Sequence, residues 1–227
     1  MNRKLSALLT LLLLLGSLTG LASAQERDIQ TLPGGGWITG TQVQNVGSGN
    51  ATIMMTIYGQ TSGQWDLSYN DVAAGASVNF LGSSFGWPDG SMGSAIVLAD
   101  QPIVAQTTET NGTAAAQYQG VGQPDTQVNF PLVKNNYKGS GKFTTFFVQN
   151  AGTEAAVISA TYTSQNGTTY PWSSGAAVEP GRMVMLNPTD VGFPTDQLGS
   201  LVVTSSVPMA GVVNEHHVSD ASILQAT

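Results

Sequence analysis

The sequence predicts an all-β chain: two tandem immunoglobulin-like β-sandwich domains behind a cleaved signal peptide. Three observations carry that expectation. Residues 1–24 have the layout of an export signal. The remainder reads as short apolar or β-branched runs punctuated by Gly, Pro, Asn and Asp. The pattern of runs and turns is also written twice, and a repeat this long is a whole domain, since solenoid units run to roughly 20–50 residues.

The leader opens with Met1-Asn2-Arg3-Lys4, continues as an apolar run from Leu5 to Leu15 and ends on Ala22-Ser23-Ala24. A basic start, a short apolar centre and a small-residue exit predict cleavage after Ala24 and a secreted or cell-surface protein. The run is shorter than the roughly 20 apolar residues a spanning helix needs, so no membrane span is expected in the mature chain. There is no cysteine, hence no disulfide and no lipid-modified cysteine. The 227 − 24 = 203 remaining residues suffice for one large or two ordinary cores without covalent staples.

Cleavage removes Arg3 and Lys4, so Lys+Arg falls from 7 to 5 against 14 acidic residues, a net charge of 5 − 14 = −9. Arg27, Lys134, Lys138, Lys142 and Arg182 are too few to neutralise a run of phosphates, which excludes nucleic acid as a partner. Charged residues make up 9% of the chain, against roughly 25% in a typical soluble domain. Ser, Thr, Asn, Gln and Gly replace them and leave little repulsion between neighbouring copies.

The two copies align along their length. WITGTQVQN from Trp37 matches KFTTFFVQN from Lys142, and ATIMMTIY from Ala51 matches AVISATYT from Ala156. AAGASVNF from Ala73 matches EPGRMVML from Glu179, and GWPDGSMGSAIV from Gly86 matches GFPTDQLGSLVV from Gly192. DQPIVAQTTET from Asp100 matches SVPMAGVVNEH from Ser206, and AAQYQ from Ala115 matches ASILQ from Ala221. Domain 1 is placed at 25–122 and domain 2 at 123–227. Strands are expected at 41–44, 53–57, 78–81, 95–98 and 103–107, with counterparts at 143–148, 157–162, 183–186, 201–204 and 209–213. Turns are marked by Asn111-Gly112, Asn166-Gly167, Pro88-Asp89-Gly90 and Pro180-Gly181. Pro102 and Pro208 are expected at strand starts, where a missing N–H is tolerated.

Residues 25–36 and 123–141 lie outside the matched stretches. Asp125–Val133 reads as a lead-in strand followed by a turn at 135–141, and Thr31-Leu32-Pro33 as the first copy of Asn129-Phe130-Pro131. Each lead-in strand serves its own domain or adds to the sheet edge of a neighbouring subunit.

Phe130-Pro131-Leu132-Val133, Asn135-Asn136-Tyr137, Val148-Gln149-Asn150, Pro180-Gly181 before a strand, Gly199-Ser200 before another and Asn214-Glu215 follow one another in an order that resembles the uncharacterised tandem β-sandwich modules of secreted bacterial cell-surface proteins. Domain 1 departs from it with Thr108-Glu109 in place of Asn214-Glu215. The resemblance implies a location and a module type and supplies no activity.

Chemistry is sparse. His216 and His217 are adjacent, so in a strand they point to opposite faces and cannot easily chelate one ion; they are read as an exposed strand end, and no metal or other cofactor is expected. No Gly-x-Ser-x-Gly elbow exists, and Glu109 and Glu215 fall in separate domains, so no catalytic residue is named and the chain is read as non-enzymatic. Trp65, Tyr69, Tyr170 and Trp172 are the candidate ligand-stacking aromatics, since exposed rings can lie against sugar faces; the alternative is that they cover the ends of the sandwiches. Asn50-Ala51-Thr52, Asn111-Gly112-Thr113 and Asn166-Gly167-Thr168 fit the glycosylation triplet. Three functions follow in order: a surface or matrix structural protein that self-assembles by β-strand addition, an adhesion module binding carbohydrate or protein, and a hydrolase built on His216 or His217. The partners these imply are other protein subunits or extracellular glycans.

Overall fold

The computed structural model describes residues 35–217 and 223–226, with side chains through His217. The expected signal at 1–24 and the first expected lead-in segment lie outside the described residues. What is described is strand, turn and three short 3₁₀ segments, with no α-helix. Among the described residues no helix is long and apolar enough to cross a membrane.

The N-terminal half contains β1 (Ile38–Asn45), β2 (Ala51–Gly59), β3 (Gln64–Val72), β4 (Ser77–Leu81), β5 (Gly93–Ala99), β6 (Ile103–Thr110) and β7 (Ala115–Gln119). They form a four-stranded sheet in the order β4-β1-β6-β7 and a three-stranded sheet in the order β3-β2-β5, antiparallel throughout. Val43 and Phe80 from the first sheet meet Ile53, Met55 and Val72 from the second in one buried cluster. Alternation explains the layering: along β1 from Thr41 every second residue is buried, and along β4 Val78 is half-buried and Phe80 buried between exposed neighbours, so each strand gives one face to the core.

The C-terminal half contains β8 (Asp125–Val133), β9 (Lys142–Asn150), β10 (Ile158–Ser164), β11 (Thr169–Ser173), β12 (Met183–Leu186), β13 (Gly199–His217) and β14 (Ile223–Ala226). Strand β13 serves two layers. Its first part pairs with β10 and β8, and from Met209 onward it pairs with β9 and β14. The order β12-β9-β13-β14 thus repeats β4-β1-β6-β7, and β11-β10-β13 repeats β3-β2-β5. The sequence reading placed two strands here, 201–204 and 209–213, broken at Pro208. Instead the chain stays extended through Pro208 and changes partners, with a register shift between Thr204 and Met209. Proline cannot donate to a ladder, so it sits where the pairing changes over.

Strand β8 has no counterpart among the described residues of the N-terminal half. It lays Phe130 and Val133 into the second core, beside Phe146, Leu201 and Val203. That cluster has 14 buried members against six in the first, a difference that reflects the flank β8 closes. The Asn-Gly turns form as expected: Gly112 (φ +83°) and Gly167 (φ +86°) take the left-handed conformation that glycine adopts without strain.

The Val-Gln-Asn triplets that revealed the repeat have a structural reason. Asn45 ends β1 fully buried; its amide donates to Val72 O (2.9 Å) and Gly49 O (2.7 Å), and its Oδ1 accepts from Gly47 N (2.9 Å). Asn150 repeats this at the end of β9, donating to Val178 O and Glu154 O (both 2.8 Å) and accepting from Gly152 N (2.9 Å). In the first half the bond to Val72 runs from the four-stranded sheet to the three-stranded one, so one side chain ties the two layers and closes a loop. Each buried hydrogen bond contributes about 1 kcal/mol, and an orphaned partner costs more. Asn45→Ala and Asn150→Ala are each expected to lower unfolding free energy by about 3 kcal/mol in urea titrations. A loss below about 1 kcal/mol at either position would contradict the tie.

Candidate functional site

The four candidate aromatics lie on edge strands, β3 of the β3-β2-β5 row and β11 of the β11-β10-β13 row, and do not converge. Trp65 meets Trp87 edge-on at 4.8 Å, and Tyr69 meets Phe80 edge-on at 5.1 Å while its hydroxyl donates to Asn79 O. Tyr170 packs edge-on against Phe193 at 5.5 Å, and Trp172 packs on the second core opposite Ala160 in the β10 ladder. All four are half-buried, with partners inside their own half.

His216 was expected at an exposed strand end, and the structure corrects this. It is 7% exposed, stacks on Phe143 with ring centres 6.0 Å apart, and lines a pocket of about 200 Å³ with Thr145, Asn187 and Thr189. β9 and β14 flank β13 at this end, which explains the burial. Desolvation pushes its imidazole below the ordinary 6.5. Among the described residues, no three His, Asp or Glu side chains gather in a way that would hold a metal ion.

The most developed constellation is the seam between the halves, which the sequence reading missed. The outward face of the β12-β9-β13 sheet carries Phe147, Gln149 and Asn214, and the N-terminal half closes over it. Phe147 packs among Trp37, Met92, Ala116 and Tyr118. Arg182, just before β12, donates to Gly59 O (2.5 Å) and Gly63 O (3.4 Å). Ser94 Oγ donates to Gly181 O (2.6 Å), and Gln149 Nε2 donates to Gly181 O (2.9 Å) and Ala95 O (3.4 Å). Gly181 (φ +78°) lies flat under the Tyr58 ring, where a Cβ would stand 2.5 Å from Cζ. The sequence did carry signals: Arg182 is the lone arginine after residue 27, and Phe147 stands where the first copy has Gln42.

Glu109 is half-buried in this seam, with no cation beside it among the described residues. Its Oε2 accepts from Asn214 Nδ2 (2.9 Å) and its Oε1 from Tyr118 OH (3.3 Å). Burial raises its pKa above the ordinary 4.5 and outweighs the two hydrogen bonds, which lower it; burial beside this carboxylate also raises the Tyr118 phenol. The equivalent Glu215 has Lys134 Nζ at 2.6 Å instead.

A second feature is the outer edge of β5. Its even-numbered residues Ser94, Ile96 and Leu98 exchange hydrogen bonds with β2, as the Gln60 N to Met92 O bond fixes, so Ala95, Val97 and Ala99 turn their backbone groups the other way. Ala95 O takes the Gln149 amide; Val97 and Ala99 have no strand beside them among the described residues. At the same place in the C-terminal half, Leu201 and Val203 pair with Phe130 and Val128 of β8.

No family model matches this chain, and no curated protein matches it. The crystal structure of Thermotoga maritima 1070 aligns with 46% of this chain and 90% of its own at 18% identity and a TM-score of 0.37. The Anabaena sensory rhodopsin transducer aligns with 42% of this chain and 91% of its own at 18% identity and a TM-score of 0.31.

A carboxyl with a raised folded-state pKa holds its proton more tightly when folded, so Glu109 opposes folding as the pH rises from 4.5 through its raised value. His216 acts in the opposite sense, losing stability as the pH falls below 6.5. Glu109→Gln keeps an acceptor for Asn214 without the charge. It is expected to melt higher than the wild type at pH 7, with the gap closing as the pH approaches 4.5; thermal melts across that range check it, and the difference cancels His216.

Proposed function

We propose that the chain is an exported, non-catalytic structural protein of the cell surface or extracellular matrix. It consists of two immunoglobulin-like sandwich modules at 25–122 and 123–227 and self-assembles by β-strand addition. The observation that carries this reading is the outer edge of β5, whose counterpart in β13 is filled by β8. The strand we assign to it is 25–33 of a second copy. That segment has the nine-residue length of β8 and precedes β1 as β8 precedes β9, and Gly34-Gly35-Gly36 gives it reach. The low density of charge and the resemblance to surface modules support the same reading. The four candidate aromatics pack within their own halves, and no observation favours the glycan-binding alternative.

Backbone amide exchange tests it. Val97 and Ala99 are expected to gain protection as concentration rises and to lose it when 25–33 are deleted. Unprotected Val97 in the assembled protein, or protection equal in the dilute monomer, overturns the strand exchange.

A further inference from the structure

The seam between the halves has two sides, and each is present a second time on the molecule with nothing against it among the described residues. The gripping side consists of Tyr58, Gly59, Gln60, Met92, Gly93 and Ser94 at one end of the N-terminal half. Their counterparts by alignment are Thr163, Ser164, Gln165, Leu198, Gly199 and Ser200. The backbone agrees: Gln60 N donates to Met92 O and Gln165 N to Leu198 O, each at 2.9 Å. Those six counterparts, with Pro131 and Leu132 of β8, line an open groove of about 380 Å³.

The receiving side is repeated on the outward face of β4-β1-β6-β7. Gln44 stands for Gln149 and Gly75 for Gly181, and Gln44 Nε2 donates to Gly75 O at 3.0 Å as Gln149 does to Gly181 O at 2.9 Å. Gly75 keeps the left-handed φ of +80°, but among the described residues nothing lies above it where Gly181 has the Tyr58 ring. This face exposes Ile38 (69%), Val104 (55%) and Leu81 (50%) and bears no charged side chain, although the chain is acidic overall. Solvated sheet faces ordinarily mix charge with polar residues, so a neutral face with three large exposed apolar groups marks a contact surface.

We infer that a second copy of this chain docks there. The groove of one copy's C-terminal half takes the outward face of the next copy's N-terminal half, repeating between molecules the seam each molecule contains. One polar contact of the clasp has its groups in both copies: Ser200 of one copy donates to Gly75 O of the next, as Ser94 does to Gly181 O. The rest is not kept, since Thr163 replaces Tyr58, Gln42 replaces Phe147, Ala76 replaces Arg182, and Leu201, the counterpart of Ala95, is already paired with Phe130. The contact is therefore weaker than the internal one and depends on concentration. It is also heterologous, so it propagates into a chain or closes into a ring rather than stopping at a two-fold dimer. It uses other surfaces than strand addition and stands or falls separately.

Gln42→Lys blocks the face and Leu132→Lys blocks the groove; both positions are exposed, and circular dichroism checks folding. Sedimentation velocity of the full exported chain is expected to show growth with concentration for the wild type, and a monomer for each variant alone once 25–33 are also deleted to remove strand addition. An equimolar mixture is expected to stop at a 1:1 dimer, because one variant supplies the intact groove and the other the intact face. Lysine in both rules out pairing by opposite charge. A wild type that stays monomeric overturns the inference and shows these surfaces to be polar end caps. Variants that associate like the wild type also overturn it and leave β5 pairing as the route; a mixture that stays monomeric, or grows past the dimer, overturns it too.

Discussion

Asn45 and Asn150 hold the architecture together at the point where a two-layered β fold is weakest. Two facing sheets share an apolar core but no ladder, so their register rests on packing, which is directionless. A buried amide that donates to two carbonyls and accepts from one N–H adds direction, and its donors would be costly to leave unpaired. Because it also closes the loop after its own strand, it fixes where β1 and β9 end and how the chain re-enters the other layer. The surrounding turns inherit their positions: Gly75 N donates to Asn45 O and Gly181 N to Asn150 O. Those are the glycines that the seam and its exposed copy use.

The halves are alike in plan and different in finish. At three positions where the seam is made, the second copy carries the larger or charged group on its outward face: Phe147 against Gln42, Arg182 against Ala76, Asn214 against Thr108. At the gripping end the bias reverses, with Tyr58 against Thr163. The internal contact is thus richer in rings and charge than its two outer images. Glu109 shows the cost of such a seam, since its half-buried carboxylate is held there by an amide and a phenol, with no cation beside it among the described residues.

Strand content, turn positions and the repeat were legible because they depend on local chemistry. Asn-Gly pairs favour positive φ at their glycine wherever they fall, and β8 runs from Asp125 to Val133, where a lead-in strand was read. The fate of Pro208 was not legible, because whether an extended chain breaks or changes partners depends on strands far away in sequence. His216 was misread for the same reason: two histidines at a chain end look solvated until β14 returns to flank them. The aromatics were read as candidates by residue type alone, and type does not say that Trp87 and Phe193 already occupy their faces. The seam was missed because a contact between repeats leaves no motif. It leaves a difference between aligned positions, and that comparison needs the register of both copies.

Edges sharpen the contrast between surfaces that are guarded and surfaces that are not. Sheet proteins protect exposed edges with charge, proline or short strands, because an unpaired row of N–H and C=O groups templates further pairing. β3 carries Asp66 and Asp71, β11 carries Pro171 and β8 carries Pro131, while β4 and β12 are only five and four residues long. β5 presents Gly-Ser-Ala-Ile-Val-Leu-Ala, seven residues with neither charge nor proline. The outward face of β4-β1-β6-β7 is equally bare of charge: of the acidic residues after the leader only Glu109 falls in its four strands, and it points into the seam. Charge kept to turns and margins lets separate molecules stay apart in dilute solution, while neutral edges and faces meet without desolvating an ion when they come together.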